Sequence, residues 1–273
     1  ILKAIGVENK FNPMSEPGSL AGKVTEGAAR ETGIPRGTPV VLAGHDTQFA
    51  LYGSGAGENE PFLSSGTWEI LMVRSKGIST DPETQRQQVT NELDPVPGLY
   101  NSGVQWLASG VLEWVKKTFY KGELHLSSSE LYKLMIDEAS GIGSGCEGVT
   151  FNPDFLNNTG GISGIGLHTG RGHIYRAALE AMAANTKNAL SVLEKSGHFK
   201  AASLIVGGGG ARNALWNQIR ANALKLPVKL IDVSEPTVLG AALFAFAGIG
   251  LFASPDEARK SVDYKAKMVF PEE

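Results

Sequence analysis

Leu204-Ile205-Val206-Gly207-Gly208-Gly209-Gly210-Ala211-Arg212-Asn213 runs an apolar strand into four consecutive glycines and then, from Asn213, into a helix. A glycine run makes a poor helix and a poor strand, so the junction must use positive φ or let something approach the backbone closely. Two readings fit that chemistry. One is a tight turn that packs a helix on a sheet. The other is a seat for a nucleotide, because amides at a helix start favour phosphate and a bare glycine surface admits a flat base or ribose.

Outward from this junction the pattern alternates. Periodicity predicts a strand over 203–206, a helix over 214–224, a strand over 228–231, a helix over 237–248, and a short helix and tail over 255–273, an α/β order. The apolar run 238–252 is rich in Ala and Gly and too short to cross a bilayer, so it reads as a buried helix. Upstream, 173–195 is the longest predicted helix, with Ala178, Met182, Ala189 and Leu193 on one face and Gly197 closing it. A strand over 147–151 precedes an Asn- and Gly-rich loop over 152–172, residues 131–139 form a helix, and 104–119 carry helical periodicity. Residues 76–102 read as strands and loops at an edge. Phe62 to Ser65 and Glu69 to Val73 read as two strands around the turn Gly66-Thr67-Trp68, which puts a hydroxyl at a hairpin tip.

Nearer the start, a short helix over 25–31 precedes a strand over 38–43 that ends at Gly44-His45-Asp46, and 47–52 read as the first turns of a helix. Asp46 therefore stands at a strand end beside a helix start, suited to general-base chemistry or to capping. The glycine-rich stretch 53–60 reads as a hinge or boundary, placed near Gly57. The chain opens on Ile1 without a recognisable domain start, so a fragment with residues upstream is expected, and no signal peptide is read.

With 273 residues, 42% hydrophobic and 19% charged, the chain can bury one large core or two modest ones. A formal charge of −3 without basic runs leaves no footprint for nucleic acid or an anionic membrane. The single cysteine, Cys146, excludes an internal disulfide framework, fits a reducing compartment, and reads as a packing residue. No His, Cys and carboxylate spacing suggests a metal site. Trp68, Trp106, Trp114 and Trp216 read as packing residues rather than stacking platforms.

Gly44-His45-Asp46-Thr47-Gln48, then Ser65-Gly66-Thr67-Trp68, then Gly207 to Asn213 resemble, in that order, the FGGY family of carbohydrate kinases. Gly164-Ile165 with His173-Ile174-Tyr175-Arg176-Ala177-Ala178-Leu179-Glu180 is similar to that family's second signature. The likeness runs from about residue 20 to the end. It implies an actin-like (ribonuclease H-like) ATPase fold, with residues 1–57 the tail of an N-terminal sugar-binding lobe and 58–273 a nucleotide-binding lobe. It implies ATP-dependent phosphorylation of a ketose at its primary hydroxyl, with Mg²⁺ carried on the phosphates, in the cytoplasm. L-fuculose is the first candidate, with L-rhamnulose, D-xylulose or D-ribulose as alternatives, and a non-catalytic ATP-binding module as the rival class.

The resemblance also assigns roles. Asp46 becomes the general base, and His45 and Gln48 either contact sugar or satisfy loop amides. Gly66 and Thr67 meet the terminal phosphates, or form an ordinary hairpin turn. Gly208, Gly209, Gly210 and Asn213 match the adenosine motif, with Asn213 reaching the base edge or ribose, capping its helix, or both. Arg212 shields phosphate or stays solvated, and His173 and Arg176 are signature positions that also suit a structural role.

Overall fold

The computed structural model describes residues 3–7 and 13–272. Strands β1 (Leu20–Lys23) and β2 (Pro39–Val41) pair antiparallel on either side of helix α1 (Glu26–Thr32), and helix α2 (Asp46–Gly53) follows. Then come β3 (Phe62–Ser65), β4 (Trp68–Ser75), the short helix α3 (Pro82–Arg86), β5 (Thr90–Leu93) and β6 (Tyr100–Leu107). Helices α4 (Ser109–Phe119) and α5 (Ser128–Ser140) lead to the two-stranded pair β7 (Thr150–Asn152) and β8 (Gly161–Ser163). The chain closes with α6 (Arg171–Gly197), β9 (Leu204–Gly207), α7 (Ala214–Leu224), β10 (Val228–Ile231), α8 (Pro236–Gly248), α9 (Pro255–Lys260) and β11 (Ala266–Val269).

The main sheet has seven strands in the order β11-β10-β9-β3-β4-β6-β5. β9 lies parallel to both β3 and β10, and the other pairings are antiparallel. An antiparallel meander flanked by parallel strands that helices connect is the actin-like, ribonuclease H-like ATPase arrangement implied by the resemblance. Period-two alternation along β4 sends Leu71 and Val73 to one face, where they join Leu190 and Leu193 of α6 and Ala221 of α7. Met72 and Ile70 point the other way, onto Leu51 and Ala50 of α2.

Several expectations are corrected. Residues 104–107 are strand, because β6 pairs with β4 over its whole length and the helical pattern starts only at Ser109. β1, β8 and β11 escape a periodicity reading because each is short and mostly exposed. Gly197 lies inside the last turn of α6, and His198 takes the left-handed cap position at φ 54°. A Cβ on Gly197 would stand 2.9 Å from the Phe199 ring and 3.1 Å from Ser75 Oγ, so packing selects the glycine there. The α8 helix is buried on one face only: Leu243 and Phe244 are enclosed, whereas Val238 and Phe246 are 65% and 43% exposed. Among the described residues no helix is long and apolar enough to cross a membrane.

The α2–α8 crossing bears most directly on the site. Phe49 and Tyr52 of α2 meet Phe244 of α8 edge-on, with ring centroids 5.1 and 4.9 Å apart. Their backbones touch at two glycines: a Cβ on Gly240 would stand 2.0 Å from the Phe49 carbonyl oxygen, and one on Gly53 would stand 1.9 Å from the Pro236 carbonyl oxygen. Neither obstacle is a side chain that can swing away. Gly240→Ala is expected to separate the helices at a loss of about 1–3 kcal/mol. Calorimetry should show this as a Tm lowered by about 2–12 °C, and an unchanged Tm would mean the helices can part freely.

Candidate functional site

Helix α2 is anchored in the core at its far end and exposed at its near end. Tyr52, fully buried, donates to Asp256 Oδ1 at 2.7 Å, and the guanidinium carbons of Arg74 and Arg259 lie 4.9 and 5.0 Å from its ring centroid. Burial, with Asp256 beside it, pushes the Tyr52 phenol well above the usual tyrosine range. Residues 54–56 between α2 and β3 are tied down as well. Ser54 and Ala56 are buried, and Arg259 Nη1 donates to the Ala56 carbonyl at 3.0 Å.

At the near end, His45 occupies the N-cap position and Asp46 is the first helical residue. Asp46 is therefore not the cap. Its Oδ1 accepts the Thr47 amide at 2.8 Å and lies 3.3 Å from His45 Nε2, while Oδ2 has no partner among the described residues. The carboxylate is 75% exposed at the N-terminus of the helix. His45 turns its other nitrogen inward, with Nδ1 2.7 Å from Thr47 Oγ1 and 3.2 Å from Glu92 Oε2. Gln48 Nε2 donates to the same Glu92 oxygen at 3.4 Å. Glu92 of β5 thus gathers His45 and Gln48, one before and one after Asp46. The sequence reading missed it, because a lone carboxylate on an edge strand has no local signature.

These groups open onto a cleft of about 390 Å³, lined by His45, Thr47, Ile70, Glu92, Asn101 and Gln105 among others. Its wall is the α2-facing side of the meander, and the β3–β4 hairpin tip lies further along β4, outside the cleft's lining. At the tip, the Gly66 and Thr67 carbonyls accept the Ser109 and Ala108 amides at 3.4 and 3.0 Å, which docks the start of α4 on the turn. Thr67 is exposed, and its hydroxyl makes no hydrogen bond among the described residues.

The glycine junction lies against the same hairpin. Gly208 has φ +85°, and a Cβ on it would stand 2.7 Å from the Ser65 carbonyl oxygen. A Cβ on Gly210 would stand 2.0 Å from Ser65 Oγ, whereas Gly209 has open space before it. The run therefore divides its work, with two glycines required by packing and one presenting bare backbone outward. Gly208, Gly209 and Arg212 border a second cleft of about 660 Å³, beyond the carboxyl ends of the parallel strands β9 and β10, with Asp232, Glu235, Lys265 and Lys267 across it.

Asn213 caps α7: its Oδ1 accepts the Trp216 amide at 3.0 Å, and its Nδ2 donates to Tyr175 Oη at 3.1 Å. His173 Nδ1 accepts the Gly170 amide at 3.1 Å at the start of α6, and Arg176 Nε reaches Glu180 Oε1 at 3.0 Å. Both signature residues thus make structural bonds. Cys146 is buried and free, its thiol pushed up to about 12 by burial and then by Glu180. Trp216 is buried and Trp106 bonds within the core, but Trp68 is 41% exposed at the hairpin.

The second face of β4 carries a feature that no motif pointed to. Glu69 and Arg220 form a fully buried ion pair. Burial pulls the Arg220 guanidinium below its ordinary range, and Glu69 opposes that shift.

Residues 62–249 match the C-terminal domain of the FGGY family of carbohydrate kinases. The whole chain is 50% identical over 274 residues to L-fuculokinase of Escherichia coli (strain K12), covering 57% of that protein. It is 43% identical to L-fuculokinase of Haemophilus influenzae, with 99% of this chain and 58% of that one covered. The crystal structure of xylulose kinase from Rhodospirillum rubrum superposes with a TM-score of 0.81 at 26% identity, over 96% of this chain and 53% of that one. The chain thus spans 57% of the first of these relatives, with the hairpin tip and the glycine junction inside the matched region and Asp46 just ahead of it. On that match, which takes in more than half of its residues, the chain belongs to the FGGY family of carbohydrate kinases.

Proposed function

We propose that the chain is the nucleotide-binding half of an ATP-dependent ketose kinase that converts L-fuculose to L-fuculose 1-phosphate. The observation that carries the sugar is the 50% identity to an L-fuculokinase along the full length of the chain. In this reading residues 58–273 form the nucleotide lobe and 1–57 the tail of a sugar-binding lobe. A cytoplasmic location goes with the single unpaired cysteine.

The residues present fit ATP. The open backbone at Gly209 and the 660 Å³ cleft beside it suit adenosine, and the unpartnered Thr67 hydroxyl with the Gly66 turn suits the terminal phosphates. Mg²⁺ would be held mainly by phosphate oxygens and water. Asp46 orients the sugar hydroxyl through its free Oδ2 and accepts the proton as that oxygen bonds to phosphorus, while Thr47 N–H and His45 hold Oδ1. Closure of the two lobes excludes water, which would otherwise compete as acceptor.

The test is ADP release by this chain with MgATP and each of L-fuculose, L-rhamnulose, D-xylulose and D-ribulose. Turnover with L-fuculose well above the others is expected. Preference for another ketose would overturn the sugar assignment; nucleotide binding without sugar-dependent turnover would fit either a missing sugar lobe or the non-catalytic module, and the same assay with the upstream residues restored separates the two.

A further inference from the structure

We propose that the buried Glu69–Arg220 pair is a positioning device that locks the hairpin tip and the glycine turn into one nucleotide-gripping unit. The inference rests on the ATP-binding reading above and assigns residues that the family motifs do not touch. Both side chains are 0% exposed. Two charges withdrawn from water gain little net stability over an apolar pair of the same volume, so what such a pair supplies is direction.

The directions converge. Ser65 Oγ donates to Glu69 Oε1 at 2.6 Å, and Trp106 Nε1 donates to Oε2 at 3.1 Å, so the carboxylate ties together β3, β4 and β6. Arg220 donates to both Glu69 and Ser65, and from its other arm to Asn217 Oδ1 at 2.7 Å. Asn217, also fully buried, passes the link on by donating from Nδ2 to the Ala211 carbonyl at 2.8 Å, inside the glycine turn. The Arg220 guanidinium lies 3.6 Å from the Trp216 ring centroid, which fixes its plane.

Ser65 is the meeting point. It immediately precedes Gly66-Thr67, it bonds the ion pair, and its Oγ and carbonyl are the atoms against which Gly210 and Gly208 pack. A shift of Arg220 therefore reaches the phosphate hairpin through Ser65 and the glycine turn through Asn217. A ligand spanning both would be gripped only while that separation holds.

The test uses two variants of this chain, Asn217→Ser, which cuts the link to Ala211, and Glu69→Gln/Arg220→Met, which removes both charges together so that neither stays buried alone. Calorimetric titration with MgADP, corrected for the folded fraction, is expected to show affinity weakened by at least about tenfold in both. Hydrogen exchange at residues 66–67 and 208–213 is expected to quicken in both regions together. Folded variants that bind MgADP within about twofold of the parent would reduce the pair to core support. If the parent binds no nucleotide, the ATP reading fails. The exchange data then decide separately, since joint quickening keeps the coupling and quickening at one region alone overturns it.

Discussion

Asp46→Asn is expected to lower L-fuculose-dependent ADP release by about 100- to 10,000-fold while leaving MgATP affinity within about twofold. The asymmetry follows from where the residue stands. Asp46 lies at the start of α2 beside the 390 Å³ cleft, whereas the groups assigned to nucleotide lie at the hairpin tip and along the glycine junction. An amide at this position keeps an oxygen for the Thr47 N–H but cannot accept a proton from a sugar hydroxyl. Its NH₂ would instead present a donor to a donor. The helix should survive, because His45 holds the cap position and the substitution leaves the Tyr52 anchor intact. Equal loss of turnover and of MgATP binding would show that Asp46 acts through the fold and not on the sugar. Glu92→Gln offers a graded comparison: it keeps an acceptor for His45 but removes the charge, so a smaller fall in turnover is the expected companion result.

The parts of the site that sequence made legible are those in which chemistry and chain continuity coincide. The glycine run, the Gly66-Thr67 turn and Asp46 each sit where a strand gives way to a turn or helix, and each is spelled out within a few adjacent residues. α7 and β10 have the bounds read from the sequence because Asn213 caps α7, which buries Trp216, Ile219 and Arg220 at helical spacing, and because β10 is a short, mainly apolar run between Pro227 and Asp232. What stayed hidden depends on partners distant in the chain. Glu92 reaches His45 from 47 residues away, and Arg220 reaches Glu69 from 151. Nothing local distinguishes those carboxylates from surface charge, since their partners come from helices that only the fold packs beside the sheet. The same dependence on the fold explains β6: 104–107 carry apolar spacing compatible with helix, and only register against β4 assigns them to the sheet. Asn213 shows how roles accumulate, for both of its polar atoms are engaged in capping α7 and bonding Tyr175, which leaves the second lone pair of Oδ1 and the second N–H of Nδ2 as its remaining capacity for a ligand.

Arg74→Met carries the largest expected loss of stability, about 3–5 kcal/mol, because it strands a buried carboxylate. Arg74 donates from Nε and Nη2 to the two oxygens of Asp94, both at 2.9 Å, and the two side chains are 4% and 0% exposed. This two-pronged geometry is the strong form of a charged hydrogen bond, and methionine replaces its bulk without its donors. Denaturant unfolding should show the midpoint fall with little change in slope. The double variant Arg74→Met/Asp94→Leu should recover part of the loss by removing the unpaired charge, although a leucine side chain could not accept the Val96 amide as Asp94 Oδ1 does at 2.9 Å. A double variant no more stable than Arg74→Met would mean that the loss comes from the contacts of Arg74 with Ala56 and Tyr52 instead. The pair also matters to the site. Arg74 and Glu92 both stand opposite Asn101 of β6, from its two sides, and Asp94 lies two residues beyond Glu92 on the same face of the sheet. Releasing Asp94 loosens the end of β5, and with it the carboxylate that holds His45 and Gln48 beside Asp46. Turnover in the folded fraction of Arg74→Met should therefore fall further than nucleotide affinity, which separates a displaced Glu92 from a general loss of structure.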